Sequence, residues 1–132
     1  MDIKNSISGI LRVTVAVILI QTLYFKFSGH PESVHIFSAL GIEPWGRIGL
    51  GIMELITALL ILFPKTKILG MVASLGIILG AVFSHILVLG LNVSNDGGAL
   101  FTLALIVLIA TTIFLTIHKN ELISFVSKFL KK

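Results

Sequence analysis

Four long apolar stretches, at residues 8–29, 46–63, 68–91 and 98–117, are separated by short polar breaks. A helix crossing the ~30 Å hydrocarbon layer needs about 20 mostly apolar residues, so each stretch reads as a membrane span. The third and fourth carry no formally charged residue. The first holds Arg12 and Lys26 near its ends, and the second holds Arg47 at one end with Glu54 well inside. The breaks are too short for anything but antiparallel neighbours, which predicts an up-down-up-down four-transmembrane-helix bundle in a single all-α membrane domain, residues 1–132.

Two further segments are helical but do not span. Residues 31–40 begin with Pro31 and Glu32 and stop at Gly41. Val34, Phe37 and Leu40 share one face there, predicting a short interfacial helix over the outer mouth of the bundle. In the tail, 120–132, Leu122, Phe125, Val126, Phe129 and Leu130 recur at helical spacing opposite Lys128, Lys131 and Lys132. That is the pattern of a basic amphipathic helix resting on anionic inner-leaflet lipid. A straight continuation of the fourth span is the alternative.

Composition agrees. The chain is 56% hydrophobic and 12% charged, with a mean hydropathy of +1.09, and a 132-residue chain has no core large enough to bury that much apolar surface. The net charge of +4 does not signal nucleic acid, because the basic residues form no patch interleaved with exposed aromatics. They signal topology instead. Lys4, Arg12, Lys65, Lys67, Lys119, Lys128, Lys131 and Lys132 fall on one side of the alternation, and only Lys26 and Arg47 on the other. Cytoplasmic segments retain Lys and Arg, so both termini and the 64–67 turn are expected in the cytoplasm, and the 30–45 and 92–97 connections outside. The first span is expected to stay attached, since Tyr24, Phe25, Lys26 and Phe27 stand where a signal peptide would need small residues.

The chain has no cysteine, which excludes disulfides, thiol redox relays and thiolate metal sites. The four histidines form no ligand pair at helical spacing, so no metal site is expected. No nucleophile elbow, phosphate loop, dinucleotide fingerprint or zinc-protease motif is present.

Ionisable and polar groups inside the spans are therefore the candidates for chemistry. With about 1.5 Å rise per residue, Glu54 and Gln21 lie roughly 12 Å below the outer surface, His85 about 9 Å and Lys26 about 4 to 5 Å. Arg47 and Glu54 share one face of the second span. This predicts a polar cluster of Glu54, Lys26, His85, Arg47 and Gln21 in the outer half, with Tyr24, Phe37 and Trp45 as aromatic walls. The structural alternatives are an ion pair holding helices together for Glu54, a packing hydrogen bond for His85, and snorkelling to the interfaces for Lys26, Arg47 and Arg12. Gly76, Gly80 and Ser84 form a small-residue face on the third span, expected either to pack closely inside the bundle or to make a homodimer seam.

Together these features resemble the DoxX family of small bacterial membrane proteins. The resemblance covers residues 10–117: Arg12, Lys26 in FKFSGHPES, the LGIEP turn at Gly41, Glu54 in GLGIMEL, the PKTKILG turn, His85 in GAVFSH, and NDGGALF opening the last span. Many members carry Gly-Gly-x-Glu at that last position. Here Gly97 and Gly98 lead into Ala99, Leu100 and Phe101, so that carboxylate is missing and the chain looks more like a Gly-Gly-x-Leu-Phe subgroup. The resemblance implies an inner-membrane protein and three functions: a quinone-interacting subunit of a membrane redox complex with no intrinsic cofactor, a chaperone or scaffold for partner proteins, or a small-solute or proton pathway.

Overall fold

The computed structural model describes residues 2–131; Met1 and Lys132, the last residue of the predicted tail, lie outside the described residues. Helix α1 spans Ile3–Ser28, α2 Pro31–Ala39, α3 Trp45–Leu62, α4 Lys67–Ser84, α5 Ala99–Ile117 and α6 Lys119–Leu130. A single 3-10 turn, Pro64–Thr66, joins α3 to α4, and a π-helical turn, His85–Leu89, extends α4. Among the described residues the protein is all-helical. Four of its helical segments, α1, α3, Pro64–Leu89 and α5, are long and apolar enough to cross a membrane, which makes it a helical membrane protein.

The boundaries have local causes. Asp2 caps α1, its carboxylate accepting the Lys4 N–H at 3.2 Å, so the helix begins five residues before the apolar run. It stops at Gly29, whose φ of 68° is a left-handed conformation that glycine adopts without steric cost. His30 then caps α2, its ring nitrogen accepting the Glu32 N–H at 3.3 Å. At the end of α3 the Arg12 guanidinium donates to Ile61 O at 2.8 Å and Leu62 O at 2.7 Å. It thereby satisfies carbonyls that a helix terminus leaves without partners. Instead of the expected snorkelling to headgroups, the Arg12 guanidinium caps the end of α3.

Each of the four long helices packs on the next, α1 on α3, α3 on α4 and α4 on α5, and α5 closes back on α1. The close-packed core lies toward the end that carries Arg12 and the Pro64–Thr66 turn. Val15, Ile61, Met71, Val107 and Phe114 are essentially inaccessible there, and the Ser74 and Thr111 hydroxyls satisfy each other at 3.2 Å. Large side chains such as Ile10, Val17, Ile56 and Ile109 point outward, as residues facing lipid tails would.

His118 anchors the junction of α5 and α6. It is buried, with Nε2 3.0 Å from the Ser8 hydroxyl and Nδ1 2.9 Å from Glu121. The hydrogen bond from His118 holds the Glu121 carboxyl below its ordinary value. Lys67 reaches the same carboxylate at 3.8 Å. Leu122 and Phe125 pack on the core, whereas Ile123, Val126, Phe129 and Leu130 are exposed. The tail stripe is thus divided: one part docks α6 on the bundle and the rest is unpartnered.

The closest backbone approach is not at the small-residue face. A Cβ at Gly70 would lie 2.7 Å from Ile61 N and 2.9 Å from Leu60 C, whereas one at Gly76 or Gly80 would meet nothing within 4 Å. The close packing that Gly76, Gly80 and Ser84 predict inside the bundle therefore falls at Gly70, and the three residues line a cavity instead. Spacing alone does not reveal which small residue faces a neighbouring backbone. Gly70→Ala is expected to destabilise the bundle by about 1–3 kcal/mol through overpacking, read as a lower melting temperature in mild detergent. Gly76→Ala should change stability by under about 0.5 kcal/mol, and equal effects would refute this packing.

Candidate functional site

Glu54 sits in the third turn of α3 and is 6% exposed. The Lys26 ammonium lies 3.1 Å from Glu54 Oε2, and the Thr22 hydroxyl lies 3.1 Å from the same oxygen. Thr22 and Lys26 are one turn apart on α1 and so share a face. Gly51, one turn before Glu54, lets α1 come close: the Phe27 ring occupies the space its side chain would fill, 2.8 Å from an ideal Cβ. The Lys26 side chain thus turns inward to the carboxylate and does not snorkel outward. Burying both charges costs desolvation energy of several kcal/mol per ion, so the pair adds little net stability. Removing one partner, however, would strand the other.

Arg47 belongs to a different unit. It is 8% exposed, and its guanidinium binds Glu43 at 2.8–3.0 Å and donates to the Lys26 carbonyl. It clamps the end of α1 to the start of α3 and packs beside Gly29. It does not line the cavity, because Glu43, in the turn just before α3, supplies a carboxylate that holds its guanidinium. The i, i+4 spacing of Glu43 and Arg47 was the available signal for this pair.

His85 comes from the turn beyond α4. It is 6% exposed, its Nδ1 lies 3.1 Å from Gly90 O, and its ring meets Phe101 edge-on at a centroid distance of 5.5 Å. It makes no hydrogen bond to Glu54 or Lys26. The expected single hydrogen-bonded cluster is therefore two separate groups, because the π-helical turn brings the backbone of Gly90 within reach of the ring.

Both groups face a cavity of about 750 Å³ at the end of the bundle opposite the core, within the size range of small-molecule pockets. α2 roofs it with Ser33, Ile36, Phe37 and Leu40, while Met53, Ile77, Leu103 and Val107 make apolar walls. Ser33 and Phe37 are the buried residues of α2, so its inward face is rotated from the one expected, and Val34 is only half-buried. Gln21 reaches the cavity from an exposed position. Tyr24 and Trp45 do not wall it: they are 69% and 79% exposed and lie on the outer perimeter, where amphipathic rings suit a membrane interface. Phe25 takes a place in the wall instead.

The spacing of polar residues did not single out Asp96, which also lines the cavity. Its carboxylate accepts the N–H groups of Val93 at 3.1 Å, Gly98 at 2.8 Å and Leu100 at 3.1 Å, shaping the entry to α5. Only the Asp-Gly-Gly turn chemistry hinted at it. Among the described residues no group of three or more His, Asp or Glu could hold a metal ion.

Desolvation pushes the Asp96 carboxyl up, but the hydrogen bonds from Leu100, Gly98 and Val93 and the nearby His85 outweigh it, and the net shift is below the ordinary 3.8. The stabilisation is therefore complete above the unfolded value and is lost as pH falls through the lowered folded one. Asp96→Ala should lower stability near neutral pH by about 1 kcal/mol, as loss of a helix cap does. Its difference from wild type should shrink below about pH 4 in thermal melts; a pH-independent difference would contradict the assignment.

Comparison with family models, with curated proteins and with solved structures finds no match to this chain.

Proposed function

We propose that the chain is a DoxX-like multi-pass protein of a bacterial inner membrane, and that it binds a quinone in the cavity as a subunit or accessory of a membrane redox complex. The observation that carries this reading is a buried Lys26–Glu54 pair on the wall of a mainly apolar chamber, with His85 and Asp96 among the other polar groups on that wall. Apolar walls suit the ring and alkyl tail of a quinone. Lys26 uses one of its three N–H donors on Glu54 and can offer another to a ring oxygen. A bound quinone would supply two-electron, two-proton chemistry, for which this chain has no redox group of its own.

In this reading the four spans alternate in direction, the cavity end faces outward and the basic end faces the cytoplasm. The exposed stripe of α6, with Lys119, Lys128 and Lys131, then meets the inner leaflet, whose anionic lipid attracts such residues at roughly 1 kcal/mol each.

Two measurements test this. Protein purified in mild detergent should retain quinone. Glu54→Gln, nearly isosteric, strands the Lys26 charge and should lower the melting temperature, whereas the double variant Lys26→Met with Glu54→Gln leaves no lone charge and should recover it, with quinone binding still about tenfold or more weaker, the worth of a hydrogen bond to a charged group. Recovery of binding together with stability in the double variant would make the pair structural, and a stoichiometric partner protein with no quinone would favour a scaffold. For topology, a C-terminal reporter that works only in the cytoplasm should be active, and activity of an outward reporter would reverse the orientation.

A further inference from the structure

We infer that the Thr57 hydroxyl is a second anchor for the bound head group, so that a quinone lies along α3 with one ring oxygen at Lys26 and the other at Thr57. The inference rests on the quinone reading above and adds the residue that receives the second oxygen.

Thr57 stands on α3 about one turn beyond Glu54, toward the packed core, and lines the inner part of the cavity. It is 3% exposed. A threonine within a helix can turn its hydroxyl back onto a carbonyl of the preceding turn, and Thr102, Thr112 and Thr116 do so at 2.7–2.8 Å. Thr57 does not, and its hydroxyl makes no hydrogen bond to any described residue. Yet no side-chain oxygen or nitrogen among the described residues is both sealed and unsatisfied. The hydroxyl is therefore open to accessible space, and the space that Thr57 lines is the cavity. Burying a hydroxyl without a partner is unfavourable, and valine would fill the same volume without one. The position suits a partner that comes from outside the chain.

Helix geometry sets where that partner lies. Glu54 and Thr57 are three residues apart, a rise of about 4.5 Å along α3, and Lys26 is held 3.1 Å from Glu54. A para-quinone carries its oxygens on opposite edges of one six-membered ring, so a ring lying against this stretch presents one oxygen at the level of the ion pair and the other about a turn deeper. A hydroxyl donates or accepts, so Thr57 serves the ring in its oxidised and its reduced form alike. Ser33 is 6% exposed and its hydroxyl is open to the cavity in the same way, but it stands in the roof on α2 and shares no helix with the ion pair. Gln21 also lines the cavity, from an exposed position, and its flexible amide is held by no hydrogen bond to a described residue. Thr57 is the open donor whose distance from the pair the fold fixes.

The test measures binding of two ligands to the protein in nanodiscs: a decyl-tailed benzoquinone, and a decyl-tailed cyclohexenone that has a single carbonyl. Thr57→Val keeps the shape and removes the hydroxyl. It is expected to weaken quinone binding by about threefold to tenfold, the worth of a neutral hydrogen bond, and to leave cyclohexenone binding within about twofold, since one carbonyl stays at Lys26. Its melting temperature should be unchanged or raised, because no internal hydrogen bond is lost. Thr57→Ser, which restores the hydroxyl, should bind quinone as wild type does. Unchanged quinone binding in Thr57→Val would overturn the anchor, the hydroxyl then being satisfied by water alone, and leave the quinone reading standing. Equal weakening of both ligands, or a loss in Thr57→Ser as large as in Thr57→Val, would make the residue a shaper of the cavity and overturn the hydrogen bond. A lower melting temperature in Thr57→Val would reveal an internal partner and overturn the open hydroxyl. Loss of quinone binding in Ser33→Ala without loss in Thr57→Val would move the second oxygen to the roof. Binding of neither ligand to wild-type protein would remove the quinone reading itself, and this inference with it.

Discussion

A carboxylate two and a half turns inside an apolar helix is tolerated only if a cation meets it, and much of the cavity end of this protein is organised by that requirement. Lys26 must reach Glu54, so α1 and α3 must be close neighbours over their last and first turns respectively. Gly51 permits the approach by leaving room for Phe27, and Arg47 holds it by gripping the Lys26 carbonyl near the end of α1 while Glu43 neutralises its charge. The chamber lies between this end of α1 and α3, fixed by polar contacts, and the facing residues of α4 and α5.

The opposite end follows different physics. Val15, Ile61, Met71 and Phe114 fill the interior, Gly70 draws α4 onto α3, and Arg12 and His118 consume the polar groups of the helix ends. Packing loss is costly there, whereas at the cavity end a substitution changes which polar groups line the chamber.

Ion pairs of this kind are weak evidence for stability, since desolvation offsets most of the Coulombic gain. Their more useful property is that a bound head group can exchange hydrogen bonds with them without any charge being left alone. Thr22 and Lys26 both meet one oxygen of Glu54, so in the proposed reading a ligand would join the network at the other oxygen and at the spare N–H groups of Lys26, with His85 already held by Gly90. A chamber preorganised in this way demands little ordering entropy from the protein on binding.

Hydrophobic runs determined the four long helices to within a few residues, because a 20-residue apolar segment has essentially one structure in lipid. The same logic exposed Glu54 and Lys26 as residues whose burial requires explanation, and Pro31 with Gly41 marked α2. The sequence did not determine partners. Arg47 and Glu54 share a helix face, yet Arg47 pairs with Glu43; His85 lies at a depth similar to Glu54, yet it bonds Gly90 across a π-helical turn that no residue pattern announces. Tyr24 and Trp45 turn out to the perimeter, and Asp96 enters the chamber from a loop. Helical periodicity fixes the angle of a side chain about its own axis, but the rotation of one helix against another is set by packing between distant segments. That rotation decided which polar atoms met each other and which were left open toward the cavity.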